Sequence, residues 1–315
     1  MSDVLFVKTS SLGDVIHHMP ALTEARRRHP AHRFAWVVEE SFAPLVRLHP
    51  AIDEVIPVAS RRWRRSLPGP SMWGEVAAFW GAVRARHYDA IVDTQGLIRS
   101  ALIARAARGR RHGYDAASIR ERAASLLYDV RHRVAREQHA IARNRALTGL
   151  ALGYVPEGPP DYGLDRARLS TPSAGRYTVL LQATAQRQKE WPVEHWIALG
   201  HSLCARGMRV VLPWGNASER ERSSAIAAAL PDADVPDLQP LDAVARLIAG
   251  ASLVVGVDTG LLHLAGALGV PLVAIFVGSE PGLTGPIGQG SITVVGDKGK
   301  MPSAPAVIAA VDRIA

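Results

Sequence analysis

Short β-branched runs recur along the chain, each followed by a longer segment whose apolar positions return every three or four residues. VLFV (4–7), FAWVV (34–38), EVIPV (54–58) and DAIVD (89–93) come first. After a Pro/Gly-rich stretch over 155–163 the pattern restarts with YTVLL (177–181), MRVVLP (208–213), SLVVGV (252–257) and PLVAIF (271–276). Strands separated by helix-length segments are the signature of α/β architecture, so each half is expected to form a doubly wound sheet. The expected boundaries are an N-terminal domain over 1–164 and a C-terminal domain over 165–315, linked near 164–176, with the last helix packing back on the N-terminal domain. A length of 315 residues agrees with two domains, since single cores stop growing at about 250–300 residues.

Composition narrows the class. With 48% apolar and 21% charged residues the chain reads as globular. No basic region followed by a long apolar run opens it, and no secretion signal is expected. The stretch 251–278 is apolar enough to attract attention, but it carries five glycines, Pro271, Asp258 and His263, and reads as strand, loop, helix and strand. The single cysteine, Cys204, cannot form an internal disulfide; a reducing compartment and a buried packing role are expected.

Net charge is +8, and it is unevenly spread. Residues 1–164 hold 24 Lys/Arg against 16 Asp/Glu, whereas residues 165–315 hold 13 of each. A one-signed field on one domain points to an anionic partner there: nucleic acid, an anionic membrane or a phosphorylated substrate. A nucleic-acid binder would interleave aromatic residues with the basic ones, and in the basic run RRWRR (61–65) only Trp63 qualifies; no nucleic acid is expected as partner, with a basic nucleic-acid-binding protein kept as the alternative of another class. Prolines and a glycine directly after that run, in SLPGPS (66–71), argue for a loop, whose plain alternative is a solvated surface.

In doubly wound sheets ligands bind beyond the carboxyl ends of the strands, which directs attention to the loops there. After VLFV comes Lys8-Thr9-Ser10-Ser11-Leu12-Gly13-Asp14, with Gly13 permitting a tight turn and a helix expected from Val15. Asp14 is either an N-terminal cap or a carboxylate able to take a proton from an acceptor hydroxyl. The loop has neither GxGxxG nor GxxxxGK[ST] spacing. In the second half, the loop 182–192 offers Thr184, Arg187 and Lys189 to a diphosphate. Glu219, after MRVVLP, suits a ribose diol or the dipole of the helix it opens. Asp258-Thr259-Gly260-Leu261 begins another helix whose amides suit phosphate oxygens, and His263 reads as structural. Asp232-Ala233-Asp234 reads as a turn; no metal site is expected.

Taken together, KTSSLGDVIHHMPAL (8–22), FAWVVEE (34–40), RRWRR (61–65), YDAIVDTQGLIRSA (88–101), KEWPVEHW (189–196), LPWGNASE (212–219) and VDTGLLHLAGAL (257–268) resemble glycosyltransferase family 9, and within it the heptosyltransferase I branch. They span nearly the whole chain in the family's order. The resemblance implies a GT-B fold of two Rossmann-like domains facing a cleft, the N-terminal one binding acceptor and the C-terminal one sugar nucleotide. It implies ADP-L-glycero-D-manno-heptose as donor, the inner Kdo of Kdo2-lipid A as acceptor, inversion at the anomeric carbon, and neither metal nor cofactor. Asp14 then matches a general base. Thr184, Lys189, Glu219, Asp258, Thr259, Gly260 and Leu261 match donor contacts, and Ser11, Gly13, Arg61, Arg62, Arg64, Arg65 and Arg120 are acceptor candidates. The implied location is cytoplasmic, peripheral on the inner membrane. One departure stands out: where the family often carries His before Ala-Thr-Thr, this chain reads Gln182-Ala183-Thr184-Ala185. A sibling heptosyltransferase acting on an already heptosylated core is the alternative within the enzyme class.

Overall fold

The computed structural model describes residues 2–65, 69–170, 175–184, 186–278, 282 and 285–314. The chain forms two compact units, Met1–Gly163 and Leu164–Ala315. The first unit carries a parallel sheet of β1 (Asp3–Val7), β2 (Arg33–Glu39), β3 (Glu54–Val58), β4 (His87–Asp93), β5 (Arg108–Tyr114) and β6 (Val130–His132), in the order β3-β2-β1-β4-β5-β6. The second carries β7 (Tyr177–Leu181), β8 (Arg209–Val211), β9 (Ala233–Asp234), β10 (Leu253–Val257), β11 (Leu272–Phe276) and β12 (Ile292–Gly296), in the order β12-β11-β10-β7-β8-β9. Each unit therefore repeats the doubly wound order, with a switch point between β1 and β4 in the first and between β7 and β10 in the second.

Why the central strands form where they do is plain from burial. Leu5, Val7, Val37 and Ile91 are buried with Phe79 and Val83 of the helix Pro70–Arg84. In the second unit Val255, Val257, Val273 and Ile275 pack under Trp196, Leu199 and Leu203 of the helix Val193–Cys204. Strands covered on both faces need no polar alternation, hence their continuous apolar runs.

The last helix, Ala304–Asp312, places Val307, Ala310 and Val311 in the core of the second unit. Several expectations need correcting. Asp232-Ala233-Asp234 is no simple turn, because Ala233–Asp234 pairs in parallel with Val210–Val211 as an edge strand. Cys204 packs against the core without being fully buried. Arg61–Trp63 belong to a helical turn, Ser60–Trp63, and the helix Pro70–Arg84 begins within the segment expected to be loop, proline at a first helical position costing no hydrogen bond. Ser66, Leu67 and Pro68 of that segment, Ala185 of the donor loop, and 171–174 of the linker lie outside the described residues.

Candidate active site

At the first switch point the chain leaves β1 at Lys8 and enters the helix Leu12–Ile16, which starts earlier than expected because Ser11 is its N-cap. Gly13 is consequently a buried helical residue and no turn glycine. Asp14 is the third residue of that helix. Its Oδ2 accepts the Ser11 N–H at 3.0 Å and the Ser11 hydroxyl at 3.3 Å, and its Oδ1 lies 3.5 Å from Lys8 Nζ. Lys8 is buried, donates to the Thr94 carbonyl at 3.0 Å, and has its own carbonyl held by Trp36 Nε1 at 3.0 Å. Burial pushes the Asp14 carboxyl up, but Lys8, the Ser11 amide, His17 and the Ser11 hydroxyl together hold it below its usual value. The capping and the proton-accepting readings thus fall on one carboxylate, ionised and aimed by the backbone.

The loop after β4 completes this half. Asp93, fully buried, accepts the N–H groups of Gln95 at 2.8 Å and Gly96 at 3.2 Å, and the Tyr128 hydroxyl at 2.7 Å. Burial raises its carboxyl against these three donated bonds, with the Ser100 hydroxyl also acting to lower it. Gly96 has φ +69°, and a Cβ there would meet Ile119 at 3.0 Å, so this tight turn requires glycine. Gln95 in turn accepts the Thr9 and Ser10 N–H groups through Oε1, each at 3.1 Å, and so ties the β4 loop to the β1 loop. Between them lies a cavity of about 120 Å³ lined among others by Lys8, Asp14, Gln95, Tyr114, Arg120 and Arg143. Arg143 sits 4.8 Å over the Tyr114 ring and donates to the Ser118 carbonyl at 2.6 Å. Three cations around one carboxylate make a pocket for an anionic molecule with a hydroxyl to offer.

Of the acceptor candidates, the structure brings Arg120 and Ser11 to Asp14, Ser11 as its hydrogen-bonding partner. Arg62 fits poorly: it makes a two-pronged contact with Glu40 at 3.0 Å and another with Glu75 at 2.8 Å, which raise its pKa. Two carboxylates already occupy the Nε–Nη2 edge that a two-pronged phosphate contact would need. Arg61 stacks 5.0 Å over Phe42, Arg64 donates to the Ser60 carbonyl at 3.2 Å, and Arg65 is exposed. Lys8, Gln95, Arg143 and Asn144 were not singled out from sequence. The strand-end rule applied after β4 would have reached Gln95; Arg143 and Asn144 come from a helix far along the chain.

The second switch point gathers three of the donor candidates. Lys189 Nζ lies 2.6 Å from Asp258 Oδ2, at the end of β10, and Thr184 Oγ1 donates to the Asp258 carbonyl at 3.4 Å. His263 Nε2 is 3.9 Å from Asp258 Oδ1. Thr259 is the N-cap of the helix Gly260–Ala267, with Gly260 and Leu261 in its first turn, partly exposed. A lysine beside the amides of a helix start is the arrangement that receives phosphate oxygens. Glu219 stands apart on the next loop out: Gly215 N–H donates to its Oε2 at 2.8 Å and Asn216 Nδ2 to its Oε1 at 2.7 Å. Among the described residues no cluster of three His, Cys, Asp or Glu side chains could hold a metal ion.

The family model for glycosyltransferase family 9 (heptosyltransferase) matches residues 76–307. The chain belongs to glycosyltransferase family 9. Among family 9 relatives, lipopolysaccharide heptosyltransferase 1 of Pseudomonas aeruginosa is 45% identical over 305 residues, 96% of this chain and 85% of that protein. The structure of E. coli heptosyltransferase WaaC with ADP superposes with a TM-score of 0.93 at 40% identity, covering 99% of this chain and all of that one. WaaC with ADP-2-deoxy-2-fluoro heptose gives 0.89 at 41% identity over the same shares. Two parallel six-stranded sheets and this match make the family 9 chain an α/β glycosyltransferase of the GT-B fold.

Proposed function

We propose that this glycosyltransferase moves L-glycero-D-manno-heptose from its ADP-linked donor to the inner Kdo of Kdo2-lipid A, in assembly of the lipopolysaccharide core. The observation that carries the reading is the ionised Asp14 set among Lys8, Arg120 and Arg143, a pocket matched to a carboxylate-bearing sugar that presents a hydroxyl. Likeness along nearly the full chain to proteins named heptosyltransferase 1, one of them solved with an ADP-heptose analogue, supports both substrates.

In the proposed reaction the Kdo hydroxyl oxygen attacks the anomeric carbon from the face opposite the diphosphate. The new C–O bond forms as the C–O bond to phosphate breaks, ADP leaves with the bonding electrons, and the hydroxyl proton passes to Asp14, inverting the configuration. Lys189 and the amides at Gly260–Leu261 stabilise the charge growing on the diphosphate, with Thr184 and Asp258 orienting the donor and Glu219 meeting the ribose. The N-terminal unit takes the acceptor through Arg120 and the arginines at 61, 64 and 65, and the protein works peripherally on the cytoplasmic face of the inner membrane. Among the described residues no helix is long and apolar enough to cross a membrane.

Incubation with ADP-heptose and Kdo2-lipid A, followed by mass spectrometry of the lipid, tests this reading. A gain of one heptosyl residue is expected; labelling only of an already heptosylated core would assign the chain to the sibling reaction.

A further inference from the structure

Three elements of the first unit, packed one on the next, leave large apolar side chains exposed. The helix Pro70–Arg84 packs on the helix Ile98–Ala106, which packs on the 3-10 segment Arg122–Leu127. Ile98 and Leu102, four residues apart on one face of their helix, are 43% and 52% exposed, and Leu126 and Trp73 on the flanking elements are 70% and 60% exposed. Large apolar side chains gathered on neighbouring elements mark a contact surface, whereas isolated ones need no explanation.

The charge around this face is mainly positive, although exposed Glu121 lies within it, its Oε2 accepting the Ile98 N–H at 2.7 Å. Residues 60–127 hold thirteen arginines against five carboxylates, and one of those carboxylates, Asp93, is fully buried. Exposed Arg105 lies three residues beyond Leu102 and exposed Arg122 four residues before Leu126, so both border the apolar positions. The face also runs directly into the acceptor pocket: Arg99, beside Ile98, donates to the Ser10 hydroxyl at 3.2 Å, and Arg120 lines the cavity containing Asp14.

We infer that the face formed by Ile98, Leu102, Leu126 and Trp73 seats on an anionic lipid bilayer, with its arginine rim at the head groups and its apolar side chains in the interfacial layer. Apolar side chains and tryptophan framed by arginine are the composition that binds such an interface, each part contributing separately. The inference rests on the lipid-acceptor reading above, because the head group would then reach the Asp14 pocket without leaving the membrane.

The test uses the full chain with vesicles of phosphatidylcholine alone and of phosphatidylcholine with about 30% phosphatidylglycerol, an anionic fraction that attracts basic segments. Wild type should sediment with the anionic vesicles, and Ile98→Ser with Leu102→Ser and Leu126→Ser should lower that partition by about tenfold or more while every arginine remains. Turnover of a deacylated, water-soluble acceptor should be unchanged in the triple variant, which also shows that it folds. Equal partition of variant and wild type overturns the inference. So does a wild type that ignores both vesicles but forms a dimer that the triple variant dissolves, since the face then belongs to a second copy. A chain that transfers no heptose yet loses vesicle binding in the triple variant refutes the acceptor reading and upholds the bilayer surface.

Discussion

Replacing Asp14 by asparagine separates two duties that one carboxylate performs. The variant keeps the shape and one acceptor for the Ser11 N–H, now 3.0 Å from Oδ2, but removes the charge facing Lys8 at 3.5 Å. The structural loss is modest: Asp14 is one-third exposed, so the ion pair is worth up to about 1 kcal/mol, and a weakened cap costs about 0.5–2 kcal/mol. Against a domain stability of about 5–15 kcal/mol, most molecules stay folded. Loss of a general base, by contrast, lowers turnover by about 10²–10⁴-fold, equivalent to about 3–5 kcal/mol in the barrier. Unfolding therefore cannot imitate the catalytic effect. Turnover at saturating concentrations of both substrates, read as lipid product by mass spectrometry, is the decisive assay, with a thermal melt run alongside. A variant that melts a few degrees lower yet turns over within about threefold of wild type would refute the catalytic assignment and leave Asp14 a helix cap. The pH dependence adds a second check. Because the Asp14 pKa is lowered, the carboxylate is already ionised above its usual value near 3.8, and its loss of charge on acidification belongs below that point. Its contribution to stability follows the same sign, present above the unfolded value and lost as pH falls through the folded one.

Arg61, Arg64 and Arg65 changed to Ser should raise acceptor KM, leave donor KM near wild type, and show a smaller defect at high salt; Arg62→Ser should chiefly release Glu40 and Glu75, and an acceptor KM effect as large as the triple variant's would return Arg62 to acceptor binding. Lys189→Ala leaves the buried Asp258 carboxylate facing the diphosphate, so calorimetry should show ADP binding weakened by about 10–100-fold, whereas unchanged ADP affinity would move the lysine's contact to the sugar. Glu219→Gln should weaken ADP binding if the carboxylate meets the ribose; a lower melting temperature with intact ADP affinity would leave only its cap. With Lys189 and helix amides on the leaving group, transfer should persist in excess EDTA, and an absolute need for Mg²⁺ would overturn that assignment. Stability should fall on acidification from about pH 6.5 to about pH 4, because burial holds His49 at about 4 while the unfolded chain protonates earlier. Its Nδ1 accepts the Ala51 N–H at 3.1 Å and has no room for a proton. The effect is on the order of 3 kcal/mol, and flat denaturation midpoints between pH 7.5 and 5 would contradict it.

Most strands legible in the sequence are buried on both faces with continuous apolar runs; β3, partly exposed, still reads through its run Glu54–Val58. β5 escaped because its first four residues, Arg-Gly-Arg-Arg, carry charge outward from a sheet neighbour that only the fold supplies. β6 and β9 are three and two residues long and present no run, whereas β12 does carry one, Ile-Thr-Val-Val, at a half-exposed edge beyond the last strand the pattern picked out. At the candidate sites, inspecting the loops after strands singled out Asp14, Thr184, Lys189 and Asp258, which the fold places at the two switch points. Arg143 was not, since nothing in its helix distinguishes it from other arginines until Tyr114 is placed beneath it. Within the basic run Arg62 was not told apart from its neighbours, for the opposite reason. Sequence displays five consecutive residues, but only the fold shows Glu40 and Glu75 converging on Arg62.

Asp14 and Glu219 occupy the same station in two different helices, three residues after a cap and bonded back to the loop that precedes them. Each helix start thus draws some stability from a carboxylate before any substrate arrives. A descendant of this chain that had lost its transfer reaction would remain under pressure to keep both side chains, and its motifs would look intact. Retained motif residues are for that reason weak testimony of living activity in this architecture. Wear at positions proposed to serve the substrate, such as Arg65 and Arg120, is where retirement from catalysis would first be written.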